Sequence, residues 1–565
     1  NRDKMKRPLM TKAALKYSDL LILCDDNPRD EVPSEIILDM LSGIETTDQI
    51  LILRDRKKAI HQALKLAKKG DIVLIAGKGH ETYQEINGVK YPFNECDIVN
   101  EFLSMPDLDE HDDEKLSIEV DIMNFSLWFA HEFNTESLKT FKSIDFISTD
   151  SRKVKENTLF IALKGEKFDG ADYCESVLKN DNVICLINQN YAKADELKKQ
   201  YHDRIICVAD TQKAYGFIAG KFLTYYGIIK IALTGSTGKT TTKAYLYNIL
   251  SEKYQVLTNS GNENNLIGVP KTILNINPSH EIAVLECGTN QFGEIRQLAE
   301  IVKPDISLII NIGPSHLEFL ENEEGVFREK SVLFDYTKEV IIFPENDSKF
   351  DRFKHDNQSR DYEKLSIGES ASSDFNIHSI LEGQDKIEFK LNEESYQIND
   401  NVRFKVTNAS FAIVAAKQLG LSAHEIQNGL LKSLNVSYRM KKMEMNGSLW
   451  LVDCYNANPV SMKSAIHYWM KLNPQKKHYA VLGDMLELGK LSEIYHQEIH
   501  EILVGYNIVE SVFSVGQMSR FYGSHHHFEG VDELVGSKML DQIPSDSVVL
   551  IKASHGIHLE RLIER

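Results

Sequence analysis

Short, unbroken apolar runs punctuate this chain at intervals long enough to hold a helix. They fall at 19–24, 71–76, 228–233, 281–286, 306–311, 450–453, 478–483 and 547–551. Between several of them, apolar residues return every three or four positions, as at 56–67 and 243–250. A four-to-eight-residue apolar run without alternation is the pattern of a strand buried on both faces, whereas a 3.6-residue period is that of an amphipathic helix. Strands alternating with helices predict α/β layers around parallel sheets. The stretch 117–229 mixes shorter strands and helices.

At roughly 150 residues per domain, this length makes about four domains. The clearest break is 106–116, a proline-initiated, acidic stretch poor in apolar residues that reads as a solvated linker. It separates a first domain (1–105) from one at 117–229. A larger domain follows at 230–436, and a last one at 437–565. An internal echo links the first and last. Residues 71–81 and 547–556 are each an apolar strand running into a small-residue turn with a histidine. Residues 25–28 and 453–459 each carry Asp, Asn and Pro after an apolar strand. Two echoes in the same order predict related domains.

Composition narrows the function classes. No apolar run approaches the roughly 20 residues that span a bilayer. The polar, basic opening 1–7 is not a signal peptide, so a cytoplasmic protein is expected. The chain starts at Asn1 and not at a methionine, which reads as a fragment or a trimmed product. A net charge of −18 argues against a nucleic-acid partner, though not against a small anion held by local Lys and Arg. Seven scattered cysteines without a Cys-x-x-Cys pair read as reduced, buried thiols. His525, His526 and His527 lie in a polar loop and read as solvated, not metal-binding.

The chemistry is carried by 234–241, Thr-Gly-Ser-Thr-Gly-Lys-Thr-Thr, directly after the apolar run 228–233 and before the helical pattern 243–250. Strand, glycine-rich turn and helix start make a phosphate cradle: glycines let backbone N–H groups approach phosphate oxygens, and the helix N-terminus adds its dipole. Gly235, Ser236, Thr237, Gly238, Lys239, Thr240 and Thr241 are therefore candidate ATP-binding residues. Lys239 is expected on the outer phosphates and Thr240 on Mg²⁺. Leu233 stands where the common motif has its first glycine.

Further strings follow in order: 261–270 (Gly-Asn-Glu-Asn-Asn-Leu-Ile-Gly-Val-Pro), 311–318 (Asn-Ile-Gly-Pro-Ser-His-Leu-Glu), 453–459 (Asp-Cys-Tyr-Asn-Ala-Asn-Pro) and 483–489 (Gly-Asp-Met-Leu-Glu-Leu-Gly). With the phosphate loop they closely resemble the Mur ligases, the ATP-dependent amide-bond formers of peptidoglycan assembly. Within that family the MurF type, which adds D-alanyl-D-alanine to UDP-MurNAc-tripeptide, is most similar. Residues 149–152 and 168–170 extend the likeness to its UDP-substrate domain. Residues 1–105 instead resemble the C-terminal domain of the MurE type, through 1–10, 26–29 and 77–81.

The resemblance implies ATP and Mg²⁺, and a substrate carboxylate activated as an acyl phosphate before an amine displaces phosphate. It implies Thr240 and Glu286 on one magnesium, with His316 and Lys330 at a second. The lysine at that position is carbamylated in several relatives. Lys239, Glu286, His316 and Lys330 are thus the expected catalytic set. Asn408, Arg439 and Asp453 fall at adenine, phosphate and ribose contacts, Asp150, Ser151 and Arg152 at a uridine-diphosphate contact, and Asn458 at a substrate contact. In the MurE-type part, Arg29 falls where meso-diaminopimelate users engage the distal carboxylate, a bidentate and selective pairing. Arg2, Asp26, Asn27, Gly77 and Glu81 take the remaining amino-acid positions. The implied architecture is a P-loop central domain with a parallel sheet, two Rossmann-like C-terminal-type domains and a small α/β substrate domain.

One alternative is a non-catalytic module that binds amino acid or nucleotide. A folylpolyglutamate-synthetase-like ligase is another, disfavoured by 455–459 (Tyr-Asn-Ala-Asn-Pro). The MurE-type part comes without a phosphate loop and substrate domain of its own in this sequence, so the expectation is a MurF-type ligase carrying an incomplete MurE-type part, cut from a longer fusion, with upstream MurE domains in the intact protein.

Overall fold

The structure, a computed structural model, describes residues 4–29, 31–42, 44, 49–68, 70–78, 81–86, 89–104, 122–133, 143–165, 167–345, 347–356, 360–434, 439–506 and 509–563. The acidic linker 106–116 and Arg2 lie outside them. The chain divides into two compact units, Asn1–Ile228 with Ile273–Pro278 and Ile229–Thr272 with Ser279–Arg565.

The first unit opens with helix Lys6–Tyr17, then strand Leu21–Leu23 paired in parallel with Ile50–Ile52, with helices Pro33–Leu41 and Arg56–Leu66 between and after them. Leu23, Ile37, Ile50 and Ile52 form its small core. The hairpin Tyr83–Ile86/Val89–Pro92 and helix Glu95–Ser104 follow. The expected buried strand at 71–76 is corrected here: it has no regular secondary structure and joins no ladder, and Ile72 and Leu74 are 94% and 85% exposed. Its pattern is that of a strand whose neighbours are not in this sheet. Further along, Phe146–Ser148, Thr158–Ile161, Ile184–Asn188 and Ile205–Val208 make a four-stranded parallel sheet in that order. Helix Thr211–Tyr226 backs it, started by Asp210 accepting from the Gln212 and Lys213 N–H groups and ended by Gly227 in the left-handed region.

The second unit is built on a nine-stranded sheet with Ile229–Thr234 near its middle. The order is Val256–Thr258, Ile282–Glu286, Ile229–Thr234, Ile306–Ile309, Val340–Pro344, Glu363–Gly368, Phe375–Glu382, Ile387–Leu391 and Glu394–Ile398. The ladders are parallel until Phe375–Glu382 and antiparallel beyond it. Helices Lys239–Leu250 and Phe404–Gln418 pack together on its core, which includes Leu246, Ile249, Phe411 and Ile413. The last domain is a six-stranded sheet ordered Lys441–Met445, Ser448–Asp453, Val548–Lys552, His478–Gly483, Val509–Val515 and His526–Phe528. Two of the three adjacent histidines thus belong to an edge strand and not to a loop, and His527 Nδ1 lies 2.9 Å from Ser514 Oγ. Among the described residues no helix is long and apolar enough to cross a membrane.

Candidate active site

Strand Ile229–Thr234 lies between Ile282–Glu286 and Ile306–Ile309, yet the chain reaches its two neighbours by connections that run in opposite directions across the sheet. That is a switch point, and the loops after these three strands meet at its carboxyl end, where α/β sheets gather ligands. The first loop is Gly235–Gly238, and helix Lys239–Leu250 starts directly from it. Gly235 and Gly238 have φ of 158° and 78°. A Cβ on Gly238 would sit 2.4 Å from Asn408 Oδ1, so glycine is required both by the turn and by the close approach of Asn408 from helix Phe404–Gln418. Lys239 Nζ donates to its own loop, to the Gly235 carbonyl at 2.8 Å, which places the ammonium at the mouth of the cradle.

The third loop braces the first. Asn311 Nδ2 donates to the Thr237 carbonyl and hydroxyl, while its Oδ1 accepts from the Thr237 N–H. Ser236 Oγ is buried against the Gly313 N–H and carbonyl and Ser315 Oγ, and its backbone N–H donates to the Asn311 carbonyl at 3.1 Å, so both side chain and backbone fix the loop. Asn458 Nδ2 donates to the Ser236 carbonyl at 3.4 Å, but its Oδ1 caps helix Pro459–Lys471 by accepting from Ser461 N–H. Its expected substrate role therefore falls on a side chain already engaged at both ends.

Glu286 ends the strand beside the loop, almost wholly buried. Its Oε2 accepts from Thr240 Oγ1 at 2.9 Å and its Oε1 from Asn264 Nδ2 at 2.9 Å. Lys243 Nζ stands 3.4 Å from Oε2 and donates to the Asn259 carbonyl, and Asn259 in turn holds the Glu286 backbone N–H and C=O. Burial alone would raise the Glu286 pKa, yet Lys243, Lys239, Arg439 and the Asn264 amide together hold it below the usual carboxylate range. The same burial lowers both lysines against the pull of Glu286.

His316 Nδ1 lies 2.6 Å from Glu487 Oε2, and that contact holds the Glu487 carboxyl below its ordinary value. Lys330, on helix Glu323–Asp335, is fully buried, and its Nζ has no hydrogen-bond partner. Burial first, then the charge of Lys239, pushes it down to about 7. The guanidinium of Arg439 stacks 4.2 Å from the Tyr455 ring centroid. Asp453 accepts from Lys552 Nζ at 2.6 Å.

The donor set can be tested against a divalent cation. Thr240 Oγ1 and an ionised Glu286 are adjacent hard oxygens of the kind Mg²⁺ takes, so they fit. Lys330 is an orphaned buried amine in electrostatic reach of Glu286 and Lys239; as an amine it is no ligand for a hard cation. Among the described residues no group of three His, Cys, Asp or Glu stands ready to hold a metal.

In the first unit, Asn27 Nδ2 donates to Glu81 Oε2 at 2.7 Å, while Lys78 Nζ reaches Asn27 Oδ1 and lies 3.2 Å from Asp26 Oδ1. A Cβ on Gly77 would touch Asp26 at 3.5 Å. Asp26, Asn27, Gly77 and Glu81 are thus gathered. Arg29, half exposed, has φ 54°, with Nε 3.9 Å from Glu85 Oε2. Asp150 and Arg152 form a bidentate, solvent-facing pair at 2.8 Å that holds Asp150 down to about 2, and Ser151 opens the short helical turn they cap. Asn259, Asn264, Asn311, Lys243 and Glu487 were not singled out by sequence. All but Asn259 lie inside the strings quoted above or next to the phosphate loop, which was the available signal.

Comparison with known proteins agrees with this geometry. Residues 143–222 match the Mur ligase family catalytic domain and 233–416 the Mur ligase middle domain. The glutamate ligase domain matches twice, at 1–79 and 438–555. The UDP-N-acetylmuramoyl-tripeptide–D-alanyl-D-alanine ligase of Bacillus subtilis is 32% identical over 432 residues, covering 74% of this chain and 92% of the relative. That of Escherichia coli is 30% identical, covering 74% and 93%. Among solved structures, MurF from Acinetobacter baumannii superposes with a TM-score of 0.71 at 27% identity, over 80% of this chain and 99% of its own. MurF from Thermotoga maritima in complex with ADP gives 0.65 at 26%, over 74% and 96%. The chain belongs to the Mur ligase family, the ATP-dependent peptide ligases.

Proposed function

We propose that the chain joins D-alanyl-D-alanine to UDP-MurNAc-tripeptide, with the catalytic work done by domains at 117–229, 230–436 and 437–565. The observation that carries this is the Thr240–Glu286–Lys243 constellation under the phosphate loop, with Glu286 and Lys243 buried, in a chain whose curated relatives are ligases of that name. The loop backbone and Lys239 bind the ATP phosphates. Thr240 and Glu286 would hold Mg²⁺, which neutralises charge between the outer phosphates. The substrate carboxylate attacks the γ-phosphorus, ADP leaves, and the dipeptide amine then displaces phosphate from the acyl phosphate. No protein nucleophile is consumed; the residues orient reactants and stabilise developing charge. At a pKa of about 7, Lys330 carries a substantial neutral fraction near neutrality, the form that adds to CO2, giving a carbamate and a proton. Such a carbamate would supply the oxygen ligand the bare amine lacks, within electrostatic reach of Glu286 and Lys239.

The gathered Asp26, Asn27, Gly77 and Glu81 support reading 1–105 as a MurE-type C-terminal domain, in which Arg29 would take a distal carboxylate in exchange for its contact with Glu85. Phosphate release is measured with ATP, UDP-MurNAc-tripeptide and D-alanyl-D-alanine, for the chain and for Lys239→Ala. Release should require all three substrates and fall at least about 100-fold in the variant. Release without the dipeptide, or release that survives the substitution, overturns the ligase reading. UDP-MurNAc-dipeptide with diaminopimelate should give none.

A further inference from the structure

Where the last domain meets the middle one, two residues hold backbone conformations that side chains avoid, and their side chains meet. His316 has φ 53° and Glu487 φ 64°, both in the left-handed region that favours glycine. Strain of this kind persists where the surrounding structure over-determines it, and it gathers at functional sites. The surroundings here are specific. The Glu318 N–H donates to the Glu487 carbonyl at 3.1 Å. Gly489 also takes a positive φ, of 53°, and a Cβ there would sit 3.1 Å from Glu318 Cα. The turn 484–489 is thus seated, backbone against backbone, on the start of helix Leu317–Leu320.

The packing ties the same pieces together. Leu317, Leu320 and Val326 belong to one buried apolar cluster with Met462, Met485 and Leu488 of the last domain. The segment from His316 to the first turn of the helix that carries Lys330 therefore shares that domain's core. On this footing the Glu487 carboxylate reaches across to the phosphate site. Its Oε2 lies 2.6 Å from His316 Nδ1, and it stands in electrostatic reach of Lys239. A bare nitrogen lone pair is repelled by a carboxylate oxygen so close, so Nδ1 carries hydrogen and the lone pair of the neutral ring is on Nε2. The Glu487 side chain is 44% exposed, and an ion pair that wet adds little to stability. Two strained residues held together for a contact of little stability point to a role in the reaction.

We propose that Glu487 is a positioning residue that acts through His316. It fixes the imidazole's orientation and keeps hydrogen on Nδ1, so the reaction centre is complete only while the turn 484–489 is seated on 316–318. The kinetic side of this rests on the ligase reading; the state of the ring is a property of the chain without ligands.

The test replaces Glu487 by glycine, which suits φ 64° and keeps the carbonyl that accepts from Glu318. Nitrogen-15 NMR of the histidine-labelled, ligand-free chain, with His316→Gln identifying the signal, reads the neutral ring. Hydrogen should be on Nδ1 in the parent and move to Nε2, as free imidazole side chains prefer, in Glu487→Gly. Phosphate release should fall about 10–100-fold in kcat, with KM for ATP changed less than about 3-fold. Melting temperature should stay within about 2 °C of the parent. Glu487→Gln, whose amide oxygen still accepts, should recover the Nδ1–H form and most of the rate. An unchanged ring form or an unchanged kcat in Glu487→Gly overturns the proposal. So does a loss of kcat that comes with a large fall in melting temperature, which would make the residue a structural one. A parent that releases no phosphate overturns the ligase reading, and the ring form then still decides whether Glu487 positions His316.

Discussion

At the residue scale, the active site depends on charge balance in a dry place. Glu286 can stay ionised beneath the phosphate loop because Lys243 stands 3.4 Å away, itself buried and tied to Asn259. Removing one partner of a buried pair leaves the other charge uncompensated, a loss of about 3–5 kcal/mol. Lys243→Met should therefore lower unfolding free energy by about that amount, read by chemical denaturation. It should also raise the Mg²⁺ concentration needed for half-maximal phosphate release, a shift that a purely structural lysine would not produce. Lys239 and Thr240 were legible in the sequence because a phosphate loop is a local pattern, and Glu286 because the apolar run 281–286 ends in a carboxylate at the place the family resemblance implies. Lys243, Asn259 and Glu487 were not, because their meaning lies in partners 43, 27 and 171 positions away, by subtraction of the residue numbers of Lys243 from Glu286, Asn259 from Glu286 and His316 from Glu487.

At the element scale, helix Ser492–Val504 carries a histidine that titrates in a window open to measurement. His496 is fully buried, its Nε2 accepting from the Met485 N–H at 3.1 Å and its Nδ1–H donating to the Ser492 carbonyl at 2.7 Å, with its ring stacked on Tyr522. Burial lowers its pKa against the backbone acceptor and Asp484, so the native state holds it neutral. The unfolded chain binds that proton from about pH 6.5 downward and the native chain does so only at lower pH. The stability contributed is present above about pH 6.5 and is lost as pH falls toward the native pKa. Melting temperature should decline from about pH 7 to about pH 5. His496→Asn should flatten that decline while lowering stability throughout, because Met485 loses its acceptor. A decline equally steep in the variant would assign it to other groups. The strands themselves were well marked: Ile282–Glu286, His478–Gly483 and Val548–Lys552 fall on expected runs within a residue or two. The run 71–76 carried the same pattern and yet joins no ladder. Periodicity reports what a segment can pair with, and whether a neighbour is present is written elsewhere in the chain.

At the scale of the whole molecule, the first compact unit joins two domains that sequence alone separates by an acidic linker. Helix Ile122–Phe133 makes the junction. Phe125, Trp128 and Phe129 are buried, with Phe125 and Trp128 ringed against Phe222 of the helix behind the four-stranded sheet. Met123 and Leu127 turn to the small core of Leu23, Ile37, Ile50 and Ile52. Asn124 sits between, satisfying both backbone groups of Ile52 at 2.9 and 2.7 Å. A second tie runs through Gly227, where a Cβ would collide with Leu66, and Gln62, which donates to the Tyr225 carbonyl. Asn124→Leu keeps the volume but strands a buried N–H and a buried C=O, each worth about 1–3 kcal/mol when left unpaired. Amide exchange at 50–53 and 123–129 should accelerate by an order of magnitude or more, because that cost is paid locally. ATP affinity should not change, since the phosphate loop, Glu286 and Lys243 all belong to the other compact unit. Faster exchange confined to the termini of helix Ile122–Phe133, with Ile52 still protected, would show instead that the strand is held by its parallel partner alone and that the two domains of the first unit are joined through the aromatic face of the helix.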